Sequence, residues 1–375
     1  MTTIDIPLSA PDIGEAEIEA VAEVLRGQRL SLGPKMEAFE HAMAEYIGVP
    51  HAVAVSSGTA GLHLALLALG VAPGDEVILP SFTFIAVANA VRYVGAQPVF
   101  ADIEPGSLNL DPACVEAAIT PRTRALIAVH TFGRPAAVAA LLDIARRYQL
   151  LLIEDACEAI GAEIDRRRAG SFGNAAVFGF YPNKQMTTGE GGMVVTSDAE
   201  TARRIRSLRN HGRYECGQPN AFCSDHAELG YNYRLSEMQC ALGLVQLRRI
   251  EEILARREAV ARRYCALLAG NAKLRLPAVD VAGERFSWFV FVVGLAERFT
   301  KTDRDRIMCR LADNGIAAGR YFAPIHLEPA YTAWRETQLP VTESVAARSL
   351  ALPFFNRITE QQIQRVCTAL DAAAE

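Results

Sequence analysis

Lysine is scarce in this 375-residue chain, at positions 35, 184, 273 and 301, while arginine carries the rest of the positive charge. Lys35, Lys273 and Lys301 stand in ordinary polar surroundings. Lys184 stands in FGFYPNKQMTTGEGG (178–192), between apolar runs at 175–181 and 193–196 that read as buried strands, with Gly189, Gly191 and Gly192 allowing a tight return. An amine held at a strand end can attack a carbonyl or carry a proton. A solvated loop lysine is the plain alternative, since lysine is seldom buried.

Other residue types bear on that choice. Asp155 closes the apolar run LLLIED (150–155), where an unpaired carboxylate is costly and calls for a cation. SSGTAGL (56–62) sets Ser57, Gly58, Thr59 and Ala60 at a strand-to-helix junction, whose free N–H groups and dipole suit an anion. Phe84, at the end of PSFTF (80–84), offers a flat face for stacking. Each also has a structural reading, since Asp and Ser cap helices and Phe fills cores. Taken together, a carboxylate for a protonated pyridine nitrogen, an aromatic for its ring, a phosphate cradle and a lysine for an aldehyde describe a pyridoxal 5′-phosphate site.

The elements that must position these groups follow from periodicity. Helices are expected at 15–26 and after Gly33-Pro34. From residue 51 short apolar strands (AVAVSS, EVILP, PVFAD, ALIAVH, LLLIED) alternate with helices at 59–69, 85–93, after Asp111 and at 136–148. This predicts an α/β fold, a mostly parallel sheet with helices on both faces, whose ligands sit beyond the strands' carboxyl ends. A helix at 199–210, a polar and mobile loop at 211–228 and one helical stretch at 236–268 come next. A smaller C-terminal α/β unit then holds the strand FSWFVFVVGL (286–295) and helices at 302–314 and 360–373. The expected division is 1–250, a large cofactor-binding domain with the N-terminal helices, and 251–375.

Composition narrows the partners. Half of the residues are hydrophobic and the formal net charge is -5 with no block of like charge, which favours small molecules over nucleic acid or an anionic membrane. No run is long enough to span a bilayer and no leader pattern opens the chain, so a cytoplasmic place is expected. Eight cysteines without a CxxC pair read as reduced thiols. His211, Cys216, Cys223 and His226 are near one another, but their spacing matches no compact zinc motif and no metal is expected.

Residues 27–270 resemble the DegT/DnrJ/EryC1/StrS family of aminotransferases, through LSLGPKMEAFE, SSGTAGLHLALLALGVAPGDEVILPSFTFIAVANAV, IEDACEAIGA, GSFGNAAVFGFYPNKQMTTGEGGMVVT and LGYNYRLSEMQCALGLVQL in that order. The resemblance implies a fold-type I pyridoxal-phosphate enzyme that aminates keto-sugars carried on nucleotides, with L-glutamate as donor. It implies Lys184 as the lysine of the internal aldimine and proton carrier, Asp155 as partner of the pyridine nitrogen, Thr59 and Ala60 as phosphate donors and Phe84 as stacking ring. It also implies a homodimer in which Asn232 of the partner subunit reaches the phosphate. Two positions depart from the common pattern. Gly179 replaces a phosphate-binding serine, whose contact Ser57 or water would have to supply. Glu158 stands where glutamine or histidine is usual, so it is expected to carry a proton or to turn towards Arg234 or substrate. Ser31, Leu32, Gly33, Arg234, Arg320, Tyr321 and His326 are the candidate substrate contacts, each of which is equally readable as a domain-interface residue. A keto-cyclitol acceptor and a non-catalytic, cofactor-binding protein are the competing readings.

Overall fold

Short apolar runs punctuated by glycine and proline lay down a seven-stranded sheet in the computed structural model, which describes residues 4–213 and 225–375. The strands are β1 (His51–Val55), β2 (Glu76–Pro80), β3 (Gln97–Ala101), β4 (Thr123–Val129), β5 (Leu151–Asp155), β6 (Ala175–Gly179) and β7 (Gly192–Thr196). Across the sheet they run β1-β7-β6-β5-β4-β2-β3. The neighbours from β6 to β3 are parallel, and β7 is antiparallel to both β6 and β1.

Both faces of these strands are covered, which is why they read as unbroken apolar runs. Val53, Val55, Val177 and Val194 face the helices Gly58–Ala68, Ala86–Tyr93 and Ala199–Arg209. Their sequence neighbours Ala52, Ala54, Phe178 and Met193 face Pro34–Ile47 and Glu237–Arg248. Leu126, Ala128 and Leu152 face Val138–Arg147. The register sets Val129 beside Asp155 and Asp155 beside Val177, while Gly192, opening β7, pairs with both Val55 and Gly179. One rim therefore collects the carboxyl ends of the parallel strands and the turn before β7, with Lys184 in it.

The C-terminal unit has its own core. Leu274–Arg275, Phe291–Leu295 and Ser349–Leu352 form an antiparallel sheet, covered by Lys301–Asp313 and Glu360–Ala373. Ile6, from the other end of the chain, bridges to Ile316 and is buried in this same cluster, so the first residues pack with the smaller unit although sequence order groups them with the larger.

Two expected elements differ. The stretch 236–268 is two helices, Glu237–Arg248 and Ile250–Leu268, because Arg249 leaves helical geometry while its guanidinium reaches Glu17 at 2.6 Å and Asp12 at 3.4 Å. The second helix joins the units, with Ile253 and Leu254 in the large core and Val260 and Tyr264 in the small one. Only Phe291–Leu295 of 286–295 is strand in the small sheet. Just before it, Ser287 and Phe289 donate their backbone N–H to Gly133 and Phe132 of the other unit, at 2.9 and 3.3 Å.

Glu237 shows how the outer layer is tied down. Its carboxylate, 1% exposed, accepts the N–H groups of Gly33, Lys35 and Met36 at 2.9–3.0 Å, which are the unpaired donors at the start of Pro34–Ile47. Glu237→Ala leaves those buried donors without acceptors. Chemical denaturation should show a loss of about 2–4 kcal/mol, while Glu237→Gln, which keeps one acceptor oxygen, should lose less.

Candidate functional site

The rim encloses a cavity of about 300 Å³, at the lower end of the roughly 300–1,000 Å³ usual for small-ligand pockets. Ser57, Gly58, Thr59, Phe84, Asp155, Glu158, Lys184 and Tyr321 all line it. Residues as far apart in sequence as Ser57 and Tyr321 thus meet on one rim. Cys157, Asn183, Phe289 and Phe322 line it too and were not singled out from sequence. Asn183 was within reach as the neighbour of Lys184. Phe289 was not, since nothing local tells which side of an all-apolar run turns towards a ligand.

Lys184 is the centre of the geometry. Its side chain is 15% exposed, with Nζ 3.4 Å from Glu158 Oε1 and 3.9 Å from the centre of the Phe289 ring. The other Glu158 oxygen accepts the N–H of Phe132 at 2.9 Å. Burial pushes the Glu158 carboxyl above its ordinary value of 4.5, against the pull of Lys184 and the Phe132 N–H. Glu158 thus turns to Lys184, and the expectation that it faces Arg234 fails because Arg234 donates instead to Asn210 Oδ1, at 2.9 Å.

Asp155 is buried, and its Oδ1 accepts the Cys157 N–H at 3.1 Å. No cationic side chain among the described residues pairs with it. A carboxylate so placed lacks the counter-charge that burial demands, and a protonated ring nitrogen would supply it. At the opposite side of the cavity Ser57 caps the helix Gly58–Ala68. Its Oγ accepts the Ala60 N–H at 3.0 Å, so that N–H already has an acceptor within the fold. The N–H groups of Gly58 and Thr59 have no acceptor among the described residues, and they point where a helix start attracts an anion. An unpaired buried carboxylate, two unpaired N–H donors and an amine on one cavity fit pyridoxal phosphate.

The missing serine at 179 has a steric explanation. A Cβ on Gly179 would stand 3.3 Å from both Cβ and Sγ of Cys157, and one on Gly58 only 2.8 Å from that Sγ. Cys157 fills the space between the two glycines. Burial and the neighbouring Asp155 push its thiol well above the usual range, which makes it a packing group and not a nucleophile.

Several expected contacts do not reach the cavity. His326 is fully buried, with Nδ1 2.7 Å from Ser81 Oγ and Nε2 3.5 Å from Glu343, so it is no substrate contact: the segment that brings Tyr321 to the cavity folds under the sheet edge five residues later. Arg320 turns outward to Asp305 at 3.1 Å. Ser31, Leu32 and Gly33 sit by the Glu237 cap, with Ser31 bridged to Ser236. Asn232 is exposed and bridged to Asn210. None of these lines the cavity of its own chain. Of the residues weighed as metal ligands, Cys216 and Cys223 lie outside the described residues, as does most of the loop expected to be mobile; His226 Nδ1 faces the His211 carbonyl at 2.7 Å. Among the described residues no helix is long and apolar enough to cross a membrane.

Comparison with known proteins agrees with this geometry. The sequence profile of the DegT/DnrJ/EryC1/StrS aminotransferase family matches residues 11–371. GDP-perosamine synthase of Caulobacter vibrioides is 42% identical over 369 residues, 98% of this chain and 97% of its own. The spore coat polysaccharide biosynthesis protein SpsC of Bacillus subtilis is 38% identical, covering 97% of this chain and 96% of its own. Among solved structures, DesV of S. venezuelae superposes with a TM-score of 0.89 at 40% identity, over 100% of this chain and 99% of its own. Spr1654 of Streptococcus pneumoniae is similar in both its PMP-form and its PLP-form, with TM-scores of 0.94 and 0.93 at 26% identity, each over at least 98% of both chains.

Two outcomes follow from the packing. Gly179→Ser should cost about 1–3 kcal/mol by overpacking against Cys157, and a denaturation double-mutant cycle with Cys157→Ala should recover a large part of it. Glu158 binds its proton more tightly in the fold than in the unfolded chain. Its contribution to stability is therefore full below 4.5 and is lost as pH rises through the raised value. Glu158→Gln, with no proton to lose, should flatten that part of the stability-pH curve of the cofactor-free protein.

Proposed function

Because the chain belongs to the DegT/DnrJ/EryC1/StrS aminotransferase family, a family of pyridoxal-phosphate enzymes, we propose that it moves an amino group from an amino acid, L-glutamate by preference, to a keto-sugar linked to a nucleotide. The observation that carries the reading is one cavity holding the Lys184 amine, the unpaired Asp155 carboxylate and the free N–H groups of Gly58 and Thr59. The activity that names one relative, GDP-perosamine synthase, supports a nucleotide-linked sugar as acceptor.

When bound, pyridoxal phosphate supplies an electron sink that lets a C–H beside nitrogen leave as a proton. Asp155 provides the negative charge that keeps the ring nitrogen protonated. The Gly58 and Thr59 N–H groups, at the positive end of their helix, take the phosphate oxygens. Phe84, lining the cavity and largely exposed, offers its face to the ring. Lys184 Nζ is the base. Glu158 Oε1, 3.4 Å away, holds Nζ in place, and as the neutral amine Nζ can take the proton from the substrate carbon and return it elsewhere. Phe289 below the amine limits its swing and keeps water out.

Among the described residues the cavity of a single chain sets Glu158, Asp155 and Glu190 against one cation, Lys184, a poor setting for a phosphate or a diphosphate. A homodimer in which Asn232 of the partner subunit completes the phosphate site answers this, and the exposure of Asn232 away from its own cavity supports it. The test is a half-reaction. Glutamate added to the cofactor-loaded protein should release 2-oxoglutarate and abolish the visible absorption band; a band unchanged by every amino donor would refute the enzymatic reading. Lys184→Ala should lower turnover by at least about 10²–10⁴-fold and lose the pH-dependent visible band, while still retaining cofactor through the phosphate and ring contacts.

A further inference from the structure

A second cavity, of about 400 Å³, lies between the two units and shares no lining residue with the first. Its walls are largely apolar, with Leu276, Phe286, Trp288, Val341 and Val345 from the smaller unit facing the turn Thr131–Gly133 of the larger. Ser107, Ser344 and Ser349 interrupt the apolar wall, and charged side chains stand at its rim. Thr131 is 1% exposed and lines the cavity, yet its Oγ1 has no hydrogen-bond partner among the described residues.

The rim is cationic. Arg134 is paired with Glu284 at 2.9 Å and Arg275 with Glu297 at 2.5 Å. Arg348 has no carboxylate partner among the described residues; it donates to Ser344 Oγ and, at 3.4 Å, to the Glu297 carbonyl, which leaves part of its donor fork unused. A largely apolar chamber with a guanidinium that has no carboxylate partner among the described residues suits a small anion with a flat apolar body.

The partition between the cavities is one residue thick on each of two strands of chain. Thr131, Phe132 and Trp288 line the second cavity; Phe289 lines the first, and Phe132 reaches the first only through its N–H to Glu158. Phe132 gives its N–H to Glu158, and its ring stacks on Phe322 with centroids 5.5 Å apart. Phe289 lies 3.9 Å from Lys184 Nζ. The two strands are clamped together at Gly133, whose positive φ of 87° and closeness to Ser287 exclude any side chain: a Cβ there would stand 1.8 Å from the Ser287 carbonyl oxygen. A ligand pressing on Thr131 and Trp288 must therefore move against groups that set the Glu158–Lys184 pair.

We propose that this inter-unit cavity is an effector site for a small amphipathic anion, coupled to the catalytic lysine through Phe132 and Phe289. The probe is 8-anilinonaphthalene-1-sulfonate, titrated into the cofactor-loaded protein and followed by dye fluorescence, a readout independent of any amino transfer. One saturable site per chain is expected, weakened about tenfold or more in Arg348→Gln and lost in Val345→Trp, which fills the chamber. Saturating dye should also shift the pH midpoint of the cofactor's visible band. Unchanged affinity in Arg348→Gln, or displacement of the dye by added pyridoxal phosphate, overturns the site; Arg348→Gln decides alone if Val345→Trp does not fold. Saturation of the site with no change in the midpoint overturns the coupling. A failed amino-transfer assay leaves the fluorescence result standing, so the two readings fail separately.

Discussion

Two buried carboxylates, Asp155 and Glu158, share a pocket with one amine, and the cost of unpaired charge there governs what surrounds them. Glu158 and Lys184 offset one another at 3.4 Å, and a backbone N–H from Phe132 steadies the acid. Among the described residues Asp155 is met only by Cys157, so a cation is needed to complete its site. The scaffold beneath is solved differently. Glu154, one residue before Asp155 and on the other face of β5, is fully buried but accepts His130 Nε2–H at 3.0 Å and the N–H groups of Gly170, Phe172 and Gly173 at 2.7–2.8 Å. Burial pushes its carboxyl up, yet His130 and these donors hold it below the ordinary value. Adjacent acids on one strand thus divide into a saturated structural anchor and an under-partnered group left for a ligand.

The smaller unit is part of this arrangement through backbone contacts as well as core packing. Ser287 and Phe289 pair with Gly133 and Phe132, which places Phe289 against the catalytic amine and Tyr321 at the cavity mouth. Such a junction makes the position of the lysine sensitive to how the units sit together. The same turn that fixes Glu158 also bounds the second cavity, so the fold offers a mechanical route from the inter-unit space to the reacting amine.

Much of the site was legible in the chain because the relevant signals are local. Apolar runs flanked by SSGTAGL, PSFTF, IEDACE and PNKQMTTGEGG mark strand ends, and in a parallel sheet such ends share a rim. The oddity at Gly179 was visible too, but its cause was not, since Cys157 comes from another strand end and only packing shows that it occupies the room a serine would need. The same blindness produced the error at His326, read as a contact from its nearness in sequence to Tyr321.

By itself the sequence determined the strand-helix alternation, the lysine between its glycines, the acid at the end of β5 and the family to which these phrases belong, because residue type and short-range spacing act within a few positions. Only the tertiary structure decided where side chains point and which buried groups are left unpartnered. Tyr321 reaches the cavity and His326 is sealed beneath Ser81; Glu154 is saturated and Asp155 is not; Glu158 meets Lys184 and not Arg234. Those outcomes depend on contacts between segments up to hundreds of residues apart, and no local pattern carries the geometry of a contact whose other half lies elsewhere in the chain.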